Sequence, residues 1–109
     1  MISYEDFKKA EIRIGKIISA EKIPDTDKLL LLKVDFAEEP PRQIISGIAM
    51  HFPDLLSLVG IKCAFVANLE PRTIRGYESQ GMILAVGGTD SPFSLLKVDE
   101  TSKEGSSVK

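Results

Sequence analysis

Hydrophobic and polar positions along this chain fall into short blocks, and the period within each block predicts its element. Residues 3–10 read as a brief amphipathic helix: Ser3 is placed to cap it, Glu5 and Asp6 occupy its first turn, Phe7 and Ala10 form one face and Lys8 and Lys9 the other. So short a helix is unstable alone and needs a surface, either the rest of this chain or a second subunit. From Glu11 the period becomes two. Ile12, Ile14, Ile18 and Ala20 share one face and Arg13, Ser19 and Glu21 the other, while Gly15 interrupts the alternation where a bulge would bend a long first strand. Pro24, Asp25, Thr26 and Asp27 end that strand in a loop.

A second strand over 29–36 directs Leu30, Leu32, Val34 and Phe36 inward and leaves Leu29 and Leu31 on an outer face that needs cover. After a turn at 37–42 with paired prolines, residues 43–46 form a short third strand. Residues 48–60 read as a helical turn with Pro53 at its first position, Gly60 as its stop and no evident capping side chain. Leu55, Leu56, Leu58 and Val59 supply it with apolar groups to plug a core. Alternation of Ile61, Cys63, Phe65 and Ala67 with Lys62, Ala64, Val66 and Asn68 predicts a fourth strand. Met82, Leu84 and Val86 place a fifth beyond a polar loop at 72–80. A turn at 87–90 leads to a further short strand at 93–98 and a polar tail over 98–109.

A length of 109 residues and 43% hydrophobic content suit one modest core, so residues 1–109 read as a single domain. No apolar run approaches the roughly 20 residues that span a bilayer, and the N-terminus is acidic where an export signal is basic and then apolar. These features predict a soluble cytoplasmic protein with no membrane partner. The one cysteine, Cys63, permits no intrachain disulfide or thiolate metal centre and reads as a core side chain; the one histidine, His51, reads as a loop residue. Walker-type and nucleophile-elbow motifs are absent, Glu38 and Glu39 read as solvated beside two prolines, and Asp25 and Asp27 lack the further ligands of a calcium loop. The reading is a non-enzyme without a cofactor. A net charge of -2 gives no gross attraction for nucleic acid, and the segment Arg72 to Arg75 is a small local exception. Binding through so focused a patch implies modest affinity and a shallow salt dependence.

The stretch NLEPRTIRGYESQGMILAV at 68–86 carries the clearest motif: Asn68-Leu69, Pro71-Arg72, Gly76, then Ser79-Gln80-Gly81-Met82-Ile83-Leu84, in order and without gaps. It resembles the OB-fold tRNA-binding domain that occurs as free-standing structure-specific tRNA-binding proteins and at the C-terminus of methionyl-tRNA synthetases. The likeness extends through YEDFKKAEIRIGKI (4–17), PDTDKLLLLKVDF (24–36) and SGIA (46–49), and so covers most of the chain. It departs at Met50, His51 and Phe52, where the family runs through aromatic residues to a Thr-Pro or Ser-Pro cap, and at Lys97-Val98-Asp99 in place of Pro-Asp. Strand, strand, strand, helix, strand, strand is also the order of an OB barrel. The expected fold is therefore all-β: a five-stranded OB-fold barrel with a short N-terminal helix, a helical turn between strands 3 and 4, and a C-terminal extension.

The resemblance implies structure-specific, sequence-independent tRNA binding, a homodimer built from N- and C-terminal elements, and association with a methionyl-tRNA synthetase catalytic subunit. Under it, Arg72 and Arg75 engage phosphates and Lys28 is a further phosphate contact. Asn68 fixes the loop or donates to RNA, Ser79 bonds sugar or phosphate with Gln80 beside it, Gly81 permits close backbone approach, and Met82 rests against a base or ribose. Without the resemblance the same stretch reads as a solvated hairpin loop, with Met82 in the core by its parity with Leu84 and Val86 and Arg13 paired to Glu11 or Glu21. Leu29, Leu31, Leu95 and Leu96 are candidates for apolar surface covered by a partner chain. With no tryptophan, and Tyr77 the one aromatic in the central loop, recognition by RNA shape is expected over stacking of a linear strand. Two rivals belong to other classes. One is an export-related, peptide-binding chaperone of the same OB dimer type, which usually lacks Gly-Met after the serine. The other is an assembly subunit of a synthetase complex.

Overall fold

The computed structural model describes residues 1–109. A short helix, α1 (Tyr4–Lys8), precedes β1 (Ile12–Lys22), β2 (Leu30–Asp35) and β3 (Arg42–Ser46). Two 3-10 turns, Ala49–His51 and Leu55–Leu58, lead to β4 (Lys62–Val66), followed by β5 (Arg72–Ile74), β6 (Tyr77–Ser79), β7 (Met82–Ile83), β8 (Ala85–Val86) and β9 (Ser94–Leu95). The main sheet runs β3-β2-β1-β4-β7 with every pair antiparallel. It forms the nearly closed five-stranded barrel of OB type that the sequence predicts.

Leu30, Leu32, Val34 and Phe36 are fully buried, as their alternation requires, and pack with Ile17, Ile44, Leu58 and Phe65 in one core cluster. Cys63 lies in the same cluster, where burial pushes its thiol up to about 12. β1 serves both halves of the barrel, pairing with β4 over residues 12–16 and with β2 over 16–22. Its bulge lies between Ile17 and Ser19 and not at Gly15. The bulge directs Ile17 into the core and turns Ile18 outward, so Ile12, Ile14 and Ile18 are not the inner face. Gly15 has a different task. A Cβ there would stand 2.5 Å from Val34 Cγ1 and 2.8 Å from Phe36 Cε1, inside van der Waals contact. Gly15→Ala is expected to overpack this contact and cost about 1–3 kcal/mol of stability, read as a lower denaturant midpoint.

Ser3 caps α1 as expected, its Oγ accepting from Asp6 N at 3.1 Å, yet no residue of the helix is buried. The second 3-10 turn does have a side-chain cap: Asp54 accepts from Leu56 N at 3.1 Å. Of its apolar residues only Leu58 is fully buried; Leu56 and Val59 face outward. Gly60, at φ +92°, donates from its N to Ile17 O at 2.7 Å and so returns the chain to β1.

The fifth-strand parity is the reverse of that expected. Ile83 is 8% exposed and Met82 45%, and Val86 also faces out. The inward series is Ser79, Gly81 and Ile83; a hydroxyl and a missing side chain hold two of its three places, so hydrophobicity alone conceals it. Residues 98–109 are not a loose tail either. Lys62 Nζ donates to Glu100 O and Ser102 O at 2.8 Å each, and Gly105 N and Val108 N donate to Ile14 O and Ile12 O at 2.7 and 2.8 Å. The tail thus occupies the edge of β1 that β2 leaves free. Arg13 joins it by donating to Gly105 O and Phe36 O, and it pairs with Glu38 at 3.8 Å rather than with Glu11 or Glu21. No helix is long and apolar enough to cross a membrane.

Candidate nucleic-acid interface

The barrel closes where β3 meets residues 78–81, and the closure is made largely by side chains. Gln80 N donates to Gln43 O at 2.8 Å, the one backbone bond of this seam. The next two outward donors of β3 are met by side-chain oxygens: Gln43 N by Gln80 Oε1 and Ile45 N by Ser79 Oγ, each at 2.9 Å. Gln43 Nε2 donates in turn to Glu78 O at 2.9 Å. Arg42 crosses the end of the seam, donating to Glu38 Oε1 at 2.5 Å, to Ala67 O and to Gln80 O, with its guanidinium 5.1 Å from the Phe36 ring centre. Its proximity holds the Glu38 carboxyl below the ordinary carboxylate value, so Glu38 is engaged and not simply solvated.

Leading into the seam, residues 72–79 form a β-hairpin, with Arg72 opposite Ser79 and Ile74 opposite Tyr77. Its two-residue turn places Arg75 at φ +53° and Gly76 at φ +86°, the primed geometry whose twist suits antiparallel strands. Ile74 and Tyr77 form the underside and pack on a second small core of Ile23, Leu31 and Ile45, with Leu29 beside them. The cover that Leu29 and Leu31 require therefore comes from this chain, and Leu95 lies in the main core. Of the four leucines considered for a partner's surface, Leu96 alone is exposed.

Two exposed cations flank the hairpin, one at its turn and one at its base. Arg75 faces the loop between β1 and β2 and lines a hollow of about 400 Å³ with Asp25, Thr26, Asp27, Lys28 and Leu29. Arg72 and Met82 line a smaller hollow of about 50 Å³ on the other flank, together with Leu69 and Glu70. None of the ion pairs within the chain involves Lys28, Arg72 or Arg75, so their charges are available to a ligand. The remaining predicted residues turn toward the framework. Asn68 Oδ1 accepts from Glu11 N at 2.8 Å and its Nδ2 donates to Lys9 O at 2.7 Å, which ties the end of β4 to the start of β1. Ser79 is 4% exposed, and its hydroxyl both accepts from Ile45 N and donates to Gly81 O at 3.0 Å, so it offers no free hydroxyl to a sugar or phosphate. Gln80 is committed to Gln43, and the close approach at Gly81 is to Val66 O, which a Cβ would meet at 3.0 Å. Arg42 and Gln43 escaped the sequence reading; the available signal was a polar strand edge directly after two prolines, which reads as the end of a turn.

The family model described as "Putative tRNA binding domain" matches residues 12–107. The chain is 45% identical over 103 residues, 94% of its length, to a methionine–tRNA ligase of Enterococcus faecalis. It spans only 15–16% of the length of the curated ligases it matches. Among solved structures, it superposes on a MetRS-related protein of Pyrococcus horikoshii with a TM-score of 0.92 at 38% identity, covering 100% of this chain and 98% of that one. The chaperone CsaA of Bacillus anthracis gives 0.85 at 25% identity, with 100% and 99% covered.

Proposed function

We propose that this chain, which belongs to the tRNA-binding domain family, is a binding module that holds folded tRNA through the β5–β6 hairpin and the loop between β1 and β2. One observation carries the reading: three unpaired cations, Lys28, Arg72 and Arg75, stand around a single hairpin on the loops that OB domains use for nucleic acid. Guanidinium forks suit phosphate oxygens, and Met82, exposed beside Arg72, offers a soft apolar surface to a ribose or base. Glu70, Glu78, Asp25 and Asp27 lie close enough in the chain to cancel the cations at a distance, which supports short-range recognition of few phosphates and modest affinity. Tyr77 packs beneath the hairpin and leaves it no stacking platform, which favours RNA shape over a linear strand.

Kinship with methionine–tRNA ligases supports a role in supplying tRNA affinity to such a ligase, as an appended domain or a separate subunit working in the cytoplasm. Residues 1–109 act as one domain in this reading, and two copies form a homodimer. The exposed Met1, Ile2, Tyr4 and Phe7, and the hollow of about 320 Å³ between α1 and Val108, support that pairing. A competition titration of labelled tRNA with intact tRNA, unfolded RNA of equal length and single-stranded DNA tests the reading. Displacement by folded tRNA alone is the expected result. Equal competition by linear strands would leave a generic OB binder, and no binding even at low salt would favour the peptide-binding reading that likeness to CsaA supports.

A further inference from the structure

We infer that Ser79 and Gln80 are positioning residues for tRNA binding: they act through Arg72 and Arg75 by setting where the hairpin stands on the barrel, without touching RNA. The inference rests on the hairpin reading above. Ser79 is the only buried polar side chain in the protein, and both directions of its hydroxyl are spent within the seam. It also sits opposite Arg72 in the hairpin register, one strand away from the cation whose direction matters.

The chemistry of the seam explains why these two side chains matter more than an equal number of ordinary strand bonds. A regular ladder holds a strand at a fixed spacing, because donors and acceptors on both partners are backbone groups. Here one backbone bond, from Gln80 N to Gln43 O, is flanked by two in which Gln43 N and Ile45 N reach side-chain oxygens, so the hairpin is tied to β3 chiefly through the side chains of Ser79 and Gln80. At the turn of the hairpin held this way, Arg75 shares a hollow with Lys28 of the loop between β1 and β2. Apolar packing of Ile74 and Tyr77 on Ile45 and Leu31 keeps the hairpin attached but is not directional. The two side-chain bonds supply direction. Losing either leaves a β3 donor without its partner, Ile45 N in a buried position and Gln43 N in a part-buried one, which favours a shifted hairpin that finds the donor another partner.

A double-mutant cycle separates positioning from contact. Ser79→Ala and Gln80→Ala are each made in the whole chain and in the Arg72→Ala/Arg75→Ala background, and Kd for tRNA is measured over a salt series at a temperature where melting curves show every variant folded. Each seam variant alone should weaken tRNA binding by about three- to tenfold and flatten the salt slope, because displaced arginines neutralise fewer phosphates. In the arginine-free background the same changes should have no further effect. An additive loss would overturn the inference in favour of direct contact, and so would an unchanged affinity and slope. Hydrogen exchange without RNA provides an independent arm: Ser79→Ala should speed exchange at residues 72–79 while the β1–β2 pairs stay protected, and unchanged exchange would also overturn the inference. If the unaltered chain binds no tRNA while the hairpin still loosens, the tRNA reading has failed and the seam's control of the hairpin stands.

Discussion

Arg42→Ala is expected to lower stability by about 2–3 kcal/mol, the largest loss foreseen for a single residue away from the hydrophobic core. The guanidinium serves three acceptors on three segments of chain: Glu38 from the turn before β3, Ala67 from the end of β4, and Gln80 from the seam. Alanine leaves the two carbonyls without their donor and removes the guanidinium that lies over the Phe36 ring. For a domain of this size the loss corresponds to a fall in Tm of roughly 10–20 °C in thermal unfolding followed by circular dichroism. Arg42→Lys should recover only part of it, since a single ammonium cannot span the three acceptors in one plane. The variant should also respond differently to acid. Glu38 has its folded-state value depressed below the ordinary 4.5, chiefly by the hydrogen bond from Arg42 and further by the charge of Arg42 and then of Arg13. A depressed carboxyl contributes stability that is present above the unfolded value and is lost as pH falls through the folded one. The native chain should therefore weaken below about pH 4.5 more steeply than Arg42→Ala, whose Glu38 has lost its main partner. Parallel acid profiles for the two proteins would show that the Glu38–Arg42 pair adds nothing to stability.

The second large effect concerns binding. Arg72→Ala with Arg75→Ala should reduce tRNA affinity about tenfold or more at low salt and lower the slope of log K against log salt by roughly two, one for each phosphate contact removed. Folding should be nearly untouched, because both side chains are exposed and neither belongs to an ion pair. A melting curve within about 0.5 kcal/mol of the unaltered protein would establish that the loss arises at the surface. An unchanged salt slope would take the hairpin out of the interface and return attention to the opposite side of the barrel.

The barrel was legible from sequence wherever side chains alone decide direction. Leu30, Leu32, Val34 and Phe36 alternate cleanly because β2 is flanked by β1 and β3 and has one consistent inner face. The reading broke where something other than hydrophobicity sets direction. At Ile17 and Ser19 a bulge adds a residue without any glycine to mark it, while Gly15, which looked like the marker, is there to admit Phe36. At Ser79 and Gly81 the inward positions carry no hydrophobic signal, so parity alone puts Met82 inward where Ile83 belongs, while the resemblance sets Met82 outward, the side on which it is exposed. Charges were harder still. Arg13, Arg42 and Lys62 bind backbone carbonyls 23 to 92 residues away, and no spacing rule along the chain foretells such partners. The motif at 68–86 holds both kinds of residue: Arg72 and Arg75 are exposed, whereas Asn68, Ser79 and Gln80 are tied into an inward framework that no sequence pattern distinguishes from them.

The Arg75–Gly76 turn bears on what kind of RNA such a surface accepts. With both residues at positive φ, the turn has few alternative conformations that keep the strands in register, so the root of the Arg75 side chain is fixed before any ligand arrives. Little backbone entropy remains to be lost on association, and equally little freedom remains to follow a flexible strand. A preorganised grip of this kind selects partners whose phosphates are already held at the matching separation, which is a property of a folded polynucleotide and not of its base sequence.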